Sequence, residues 1–135
     1  MTNSESHVTW REMVKRTQGE VGERTIAQWL CEHASGCDAD EFGDILDELV
    51  SERSAQHLHS MLARYATGEP LQYVMGRWAF RRLDLLVDSR VLIPRPETEL
   101  LVEHVTRYAL QKIRDVGRGV TIADLGTGSG AVGLS

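Results

Sequence analysis

The chain has 135 residues, of which 41% are hydrophobic and 26% charged, a composition ordinary for a soluble globular protein. No apolar stretch approaches the ~20 residues that cross a membrane, and the polar start over residues 1–6 is not typical of a signal peptide. Cys31 and Cys37 form no C-x-x-C pair, so we expect reduced thiols in a cytoplasmic protein.

Charge is distributed unevenly along the sequence. Residues 1–75 carry 13 acidic and 6 basic side chains, a net charge of −7, whereas residues 76–135 carry 7 acidic and 9 basic ones, a net charge of +2. Binding to nucleic acid requires a cationic surface. The acidic half therefore argues against nucleic acid as a direct partner and favours a basic protein, although an ordinary solvated surface explains the same charges equally well.

Apolar residues recur at helical spacing through the first 75 residues and predict about four helices around one small core. Residues 9–12 have the capping-box pattern that opens a helix, with Gly19 and Gly22 as its breakers. We expect Trp10 and Trp29 to lie in the core. The helices are predicted from Thr9 to about Gln18, from about Glu23 to Ser35, from about Asp40 through Leu49 and from about Ser54 to Gly68, followed by a short turn of helix between Pro70 and Gly76.

Two cysteines and three histidines of this half raise the question of a metal site. Their spacings, C-x-H and H-x-H, match no structural zinc site, and residues two apart on a helix do not face the same way. We therefore predict no metal site from Cys31, His33, Cys37, His57 and His59.

Residues 78–87 are rich in strand-forming types and predict a β-hairpin that links the helical half to the rest of the chain. Four arginines lie in and around this segment. They either form a solvated edge that discourages strand pairing between molecules or contact a partner protein. They are Arg77, Arg81, Arg82 and Arg90.

A proline-containing segment, V-L-I-P-R-P-E-T-E over residues 91–99, comes next. Pro94 and Pro96 hold an extended entry, and Pro96 suits the first turn of a helix. The glutamates of that turn suit its positive end. The helix is predicted from Pro96 to about Arg114. The residues expected to pack against a sheet are Leu101, Val105 and Tyr108.

A strand-like apolar run and a glycine-rich loop follow. Residues 120–125 predict a buried parallel strand whose only charge is Asp124. Gly126, Gly128 and Gly130 come at every second position, where glycine allows a positive φ and close approach of a ligand to the backbone. The pattern fits both G-x-G-x-x-G/A of dinucleotide-binding proteins and D-x-G-x-G-x-G of S-adenosylmethionine-dependent methyltransferases.

Three segments together carry a family resemblance: L-I-P-R-P-E-T-E (92–99), D-L-G-T-G-S-G (124–130) and G-E-P-L-Q-Y (68–73). The first two form a highly specific pair. With all three, essentially the whole chain resembles the protein-glutamine methyltransferases that modify peptide-chain release factors.

The resemblance implies an N-terminal α-helical bundle for substrate recognition (1–75), a β-hairpin linker (76–95) and the N-terminal part of a Rossmann-like α/β methyltransferase domain (96–135). It implies transfer of a methyl group from S-adenosylmethionine to the side-chain amide of the glutamine in the release factor's Gly-Gly-Gln motif, by a monomer. Matched by position, the glycine loop would contact the methionine end of the cofactor, and the proline-containing segment would close over the same pocket. The implied cofactor-binding residues are Asp124, Gly126, Thr127, Gly128, Ser129, Gly130, Pro94, Arg95, Glu97 and Thr98.

One part of the family pattern is absent from these 135 residues. The family holds the substrate amide with an Asn-Pro-Pro-Tyr motif, whereas this sequence has no Asn-Pro and Asn3 is its only asparagine. An amide nitrogen is a poor nucleophile that acceptor groups must orient, so no residue here is predicted to be catalytic. We expect a chain truncated before that motif, inactive and weak in cofactor binding by itself.

Other functions stay open. A non-catalytic module that binds release factors would need only the helical half. An NAD-dependent enzyme is disfavoured by P-R-P-E-T-E, and a nucleic-acid adenine methyltransferase by the acidic half. For stability, we expect residues 1–75 to fold autonomously and residues 120–125, without a neighbouring strand, to stay exposed.

Overall fold

The computed structural model describes residues 8–135, which divide into two compact units with the boundary between Met75 and Gly76. The polar stretch over residues 1–6, expected not to be a signal peptide, lies outside the described residues. No helix in the described range combines the length and the apolarity that crossing a membrane requires.

The first unit is helical, as the apolar spacing predicted. Four helices are followed by a single short one after Pro70, where the sequence predicted a turn of helix. They are α1 (Trp10–Val21), α2 (Arg24–Ser35), α3 (Ala39–Asp44), α4 (Glu52–Ala66) and α5 (Leu71–Met75).

Hydroxyl side chains and glycines set the ends of these helices. The Thr9 hydroxyl accepts a hydrogen bond from the backbone N–H of Glu12 at 3.4 Å and opens α1, and Ser51 caps α4 in the same way. Gly22 and Gly36 end α1 and α2 with φ of +78°, a left-handed conformation that costs other residues energy. The capping box is only half formed, because the Glu12 carboxylate accepts from Arg16 at 2.7 Å.

In the first unit, two helix ends differ from prediction by three residues or more. Gly19 does not break α1, which continues to Val21, because an internal glycine costs a helix only about 1 kcal/mol. α3 ends at Asp44 instead of extending through Leu49. Leu49 forms an antiparallel bridge with Thr9, and this long-range pairing takes the chain out of the helix.

One core of apolar side chains lies between the helices of this unit. Trp10, as predicted, is 4% exposed and meets Phe42 edge-on, with ring centroids 5.5 Å apart. The prediction for Trp29 was wrong: it is 39% exposed, and the neighbouring Leu30 is fully buried in its place. The other core members are Val8, Met13, Cys31, Ala34, Val50, Ala55, Leu58, Met61, Leu62, Leu71 and Val74.

The two cysteines lie in different surroundings. Cys31 is fully buried, and burial raises the pKa of its thiol to about 11 despite the hydrogen bond that it donates to Thr17 at 3.7 Å. Cys37 is half-buried. Since the thiolate is the reactive species, the two thiols should differ in reactivity.

We predict that iodoacetamide at pH 8 alkylates Cys37 but not Cys31 in the native protein, and both residues in urea. Mass spectrometry of the labelled peptides measures this. The variant Cys37→Ser provides the control, because it should take up no label until it unfolds. Rapid native labelling of Cys31 would show that the core around it is not closed.

Arg64 joins α4 to the segment G-E-P-L-Q-Y. Its guanidinium donates two hydrogen bonds to the Glu69 carboxylate, at 2.9 and 2.6 Å, and one each to the carbonyls of Tyr73 (2.8 Å) and Val74 (3.1 Å). The two hydrogen bonds from Arg64 to the Glu69 carboxylate hold the pKa of Glu69 below its ordinary range. This contact therefore stabilises the fold at neutral pH and is lost as the pH falls through that lowered pKa.

We predict that Arg64→Lys destabilises the helical unit by about 1 kcal/mol, because an ammonium group cannot reproduce the planar fork that serves a carboxylate and two carbonyls. Urea unfolding followed by circular dichroism measures it. Arg53→Lys on the same helix, at an exposed position, is the matched control and should change stability by less than about 0.5 kcal/mol. Equal effects of the two substitutions would contradict the assignment.

The second unit begins with the predicted β-hairpin, formed by β1 (Arg77–Phe80) and β2 (Leu83–Leu86) as antiparallel strands. The long helix α6 (Pro96–Val116) and the single turn α7 (Ala131–Leu134) follow. α6 starts at the predicted proline and ends at Val116, two residues later than predicted, with Gly117 as its C-cap. The buried apolar side chains of this unit are Phe80, Leu85, Val87, Val102 and Ala131.

Three of the four hairpin arginines form ion pairs within the unit. Arg77 pairs with Asp84, Arg90 with Asp88, and Arg81 with Glu103 at 3.5 Å. These three arginines therefore stabilise the second unit itself, a role that neither the solvated edge nor the partner contact expected from the sequence included.

The predicted strand over residues 120–125 is not formed. A parallel strand is held by hydrogen bonds to neighbouring strands, and the described residues place none beside this segment. Its side chains are exposed, as expected for an unpaired segment: Ile122 is 59% and Leu125 92% exposed. The prediction that Leu101 and Tyr108 of α6 pack against a sheet was also wrong, because they are 52% and 63% exposed.

Candidate cofactor site

The glycine loop has the backbone conformation that its sequence predicts. Gly126, Gly128 and Gly130 have φ of +74°, +57° and +83°. A Cβ on Gly130 would lie 3.2 Å from the Leu134 side chain, whereas Cβ atoms on the first two glycines would meet nothing within 4 Å. Backbone conformation therefore requires glycine at those two positions, and the space above them is open to a ligand.

Asp124 holds this loop together. One carboxylate oxygen, Oδ2, accepts a hydrogen bond from the Thr127 hydroxyl at 2.9 Å and another from the backbone N–H of Gly133 at 3.2 Å. The N–H of Gly130 donates to the carbonyl of Thr127 at 2.9 Å, which closes the turn before α7. The other carboxylate oxygen, Oδ1, forms no hydrogen bond with any described residue, so Asp124 can organise the loop and still accept from a ligand.

The segment around Pro94 presents its charges to solvent. Arg95 precedes α6 in an extended conformation, with φ −90° and ψ 144°, and its carbonyl accepts from the N–H of Thr98 at 3.0 Å. Arg95 and Glu97 are exposed, while Pro94 and Thr98 are half-buried. Within residues 8–135, no hydrogen bond or ion pair joins this segment to the glycine loop. That the two share a pocket stays a prediction.

Sequence reasoning missed the contact that anchors the start of α6. The Glu99 carboxylate accepts from the backbone N–H of Arg81 at 2.8 Å, and the Arg81 guanidinium donates to the Glu99 carbonyl at 3.3 Å. Arg81 has φ of +53°, a conformation rare for residues other than glycine. No local signal could have revealed a pair 18 residues apart. The last glutamate of P-R-P-E-T-E therefore holds the hairpin turn.

A hollow of about 410 Å³ lies beside the loop, between α6 and α7. Leu101, Val105 and Ile122 contribute to a lining that is mainly apolar. Of the ten predicted cofactor-binding residues, only Asp124 lines it. The hollow therefore includes one of the predicted cofactor-binding residues and none of the loop glycines.

Metal-binding residues are not clustered in the part of the chain that the structure describes: no group of three or more His, Cys, Asp or Glu residues is arranged to hold a metal ion. The rings of His33 and His57 lie 5.7 Å apart, between centroids.

The helical unit is of a known class. Residues 10–76 match the family model described as the PrmC N-terminal domain.

Curated relatives extend the similarity into the second unit. A release factor glutamine methyltransferase of Pasteurella multocida is 43% identical over 91 residues, which cover 66% of this chain and 30% of that protein. The corresponding protein of Haemophilus influenzae is 38% identical over 106 residues, covering 78% of this chain and 36% of that protein. That of Escherichia coli is 34% identical over 126 residues, covering 93% and 43%.

The chain belongs to the family of release factor glutamine methyltransferases. It spans between 30% and 43% of the length of these three relatives.

We predict that Asp124→Ala loosens the start of α7, because the N–H of Gly133 loses its acceptor. Amide hydrogen exchange at Gly133 should accelerate about tenfold, corresponding to one hydrogen bond to a charged group. Thr127→Val is the matched control: it removes the other hydrogen bond to Oδ2 and should leave exchange at Gly133 within about threefold of wild type. Unchanged exchange in Asp124→Ala would mean that this carboxylate does not hold the loop.

Proposed function

We propose that the protein to which this chain belongs transfers a methyl group from S-adenosylmethionine to the side-chain amide of the glutamine in the Gly-Gly-Gln motif of peptide-chain release factors. The observation that carries the proposal is the loop of three left-handed glycines behind Asp124, in a chain of this family. In this proposal residues 96–135 begin a Rossmann-like methyltransferase domain, and residues 120–125 become a strand when neighbouring strands are present.

The loop suits the methionine end of the cofactor, which carries an ammonium and a carboxylate group. Oδ1 of Asp124 is an acceptor for the ammonium group, and the open space above Gly126 and Gly128 lets the ligand approach the backbone. Thr127, Ser129 and the N–H groups of the loop complete the proposed contacts. When bound, S-adenosylmethionine supplies an electrophilic methyl group on a positively charged sulfur.

The segment from Pro94 to Thr98 closes the same pocket in this proposal. Arg95 and Glu97 are exposed and form no ion pair with another described residue, so both charges are available to a ligand. The guanidinium of Arg95 suits a carboxylate. The two prolines restrict the segment before binding, which lowers the entropy lost when it closes.

Residues 1–75 recognise the release factor in this proposal, and residues 76–95 link them to the cofactor-binding part. The net charge of −7 in the helical half suits a partner with a basic surface. The residues that orient the substrate amide are not expected among these 135, because the sequence contains no Asn-Pro.

The direct test is methyl transfer from labelled S-adenosylmethionine to a release factor, with the 135-residue chain and the whole protein assayed side by side. We expect label on the glutamine of the Gly-Gly-Gln motif with the whole protein only. Loss of label when that glutamine is changed to alanine confirms the site. Label on a different residue, or on nucleic acid, would overturn the proposal.

We predict that Gly128→Val abolishes binding of S-adenosylmethionine, because a branched side chain would fill the ligand's space and disfavour the φ of +57°. Binding by the chain alone is expected to be weaker than about 1 μM, so ligand-observed NMR is the measurement. Gly119→Val is the matched control, since Gly119 has no positive φ and lies outside the loop. Equal binding by Gly128→Val and wild type would show that the loop is not the cofactor site.

A second candidate, a non-catalytic module that binds release factors, is favoured by how the apolar side chains are distributed. The first unit closes a core of its own, whereas twelve of the fourteen large exposed apolar side chains of residues 8–135 lie between Leu86 and Leu134. Release-factor binding by the whole protein without any methyl transfer would support this candidate.

A further inference from the structure

A second hollow, of about 390 Å³, lies in the helical unit between α1, α2 and α3. Its size is within the range of small-ligand sites, and it is open to solvent. Three of the unit's six basic residues line it: Arg11, Lys15 and Arg24. No aspartate or glutamate among the described residues does. Within a half of the chain that carries −7, this is a local concentration of positive charge.

The three basic side chains of this hollow differ in whether a carboxylate of the protein already binds them. Arg11 is held by Asp47 through hydrogen bonds of 2.8 and 3.0 Å from its guanidinium. Lys15 and Arg24 are exposed and form no ion pair or hydrogen bond with any described side chain. The two charges that face solvent here therefore have no carboxylate partner in the described part of the chain.

The remaining lining combines amide groups with apolar surface. Gln18 and Gln28 offer side-chain amides, and Val14, Phe42 and Leu46 provide apolar surface between them. Inorganic anions do not need such a surface, whereas a peptide that carries both carboxylates and aliphatic side chains uses all of it.

We propose that this hollow is a docking site for a protein segment in which acidic residues alternate with aliphatic ones, with Lys15 and Arg24 binding its carboxylates. The site is separate from the glycine loop, and its existence does not depend on methyl transfer.

The test uses the full 135-residue chain and the peptide acetyl-Leu-Glu-Leu-Asp-Leu-amide, followed by ¹⁵N NMR. We expect shifts centred on Lys15, Gln18, Arg24 and Gln28, and at least fivefold weaker binding of the isostere in which glutamine and asparagine replace the acids. Lys15→Gln combined with Arg24→Gln should weaken binding of the acidic peptide about five- to tenfold. Thermal melts establish that this double variant is folded.

The matched control removes two exposed charges elsewhere, by Arg53→Gln and Arg107→Gln, and should leave binding within about twofold of wild type. The proposal is overturned if both double variants bind equally, if shifts spread over the molecule, or if no shift appears at 5 mM peptide. Equal shifts from an RNA hexamer would also overturn it, because the hollow would then recognise negative charge alone. A failure of methyl transfer by the whole protein leaves each of these outcomes unchanged.

Discussion

Burial of apolar helix faces is the constraint on which this structure depends. In the first unit, α4 presents Leu58, Met61 and Leu62 to a core in which all three are buried, and each buried leucine contributes about 2 kcal/mol. In α6 only Val102 is buried, while Leu101, Leu110 and Ile113 are 52%, 51% and 38% exposed. Within residues 76–135, no element buries these side chains. The same physical rule therefore yields a closed bundle in one unit and an open face in the other.

The motifs that carry the family resemblance divide into residues with a structural use and residues without one. Glu69 of G-E-P-L-Q-Y is engaged by Arg64, and Glu99 of P-R-P-E-T-E by the backbone of Arg81. Both glutamates are explained by the folding of the chain around them. Arg95 and Glu97, in contrast, form no ion pair within the described residues, and this supports their place in the proposed ligand site.

How much of the fold the sequence predicts depends on whether the signal is local. Helix positions and the glycine caps follow from spacing and turn chemistry, and the hairpin follows from strand-forming residue types; all three are confirmed. The larger errors involve distant partners, whereas the error at Gly19 is local, because a helix tolerates an internal glycine. Leu49 leaves its helix because Thr9 pairs with it, and Trp29 loses its place in the core to Leu30. Residues 120–125 have the composition of a strand, but a strand forms only where another strand is available to bond with it.

In the candidate site, too, features set by local sequence were predictable and features set by distant contacts were not. The left-handed glycines were predictable because the residue type and the conformation are linked. The carboxylate of Asp124 was predicted as a ligand contact, whereas the structure also shows it as an internal support, accepting from Thr127 and Gly133. Its neighbour on the N-terminal side of the loop, Ala123, belongs to the unpaired segment and has no comparable support.

This asymmetry bears on how the loop would bind a cofactor. Fixing the backbone of one residue costs about 1–2 kcal/mol, and the hydrogen bonds of Asp124 and Gly130 offset part of that cost within the loop. The side of the loop towards residues 120–125 is not fixed in this way, because Leu125 is 92% exposed. The shape of the loop is thus set locally, by hydrogen bonds among Asp124, Thr127, Gly130 and Gly133. In the proposed site, its position relative to the segment around Arg95 would depend on the pairing of residues 120–125 as a strand. A ligand that must touch both would gain full affinity only when residues 120–125 are held in a sheet.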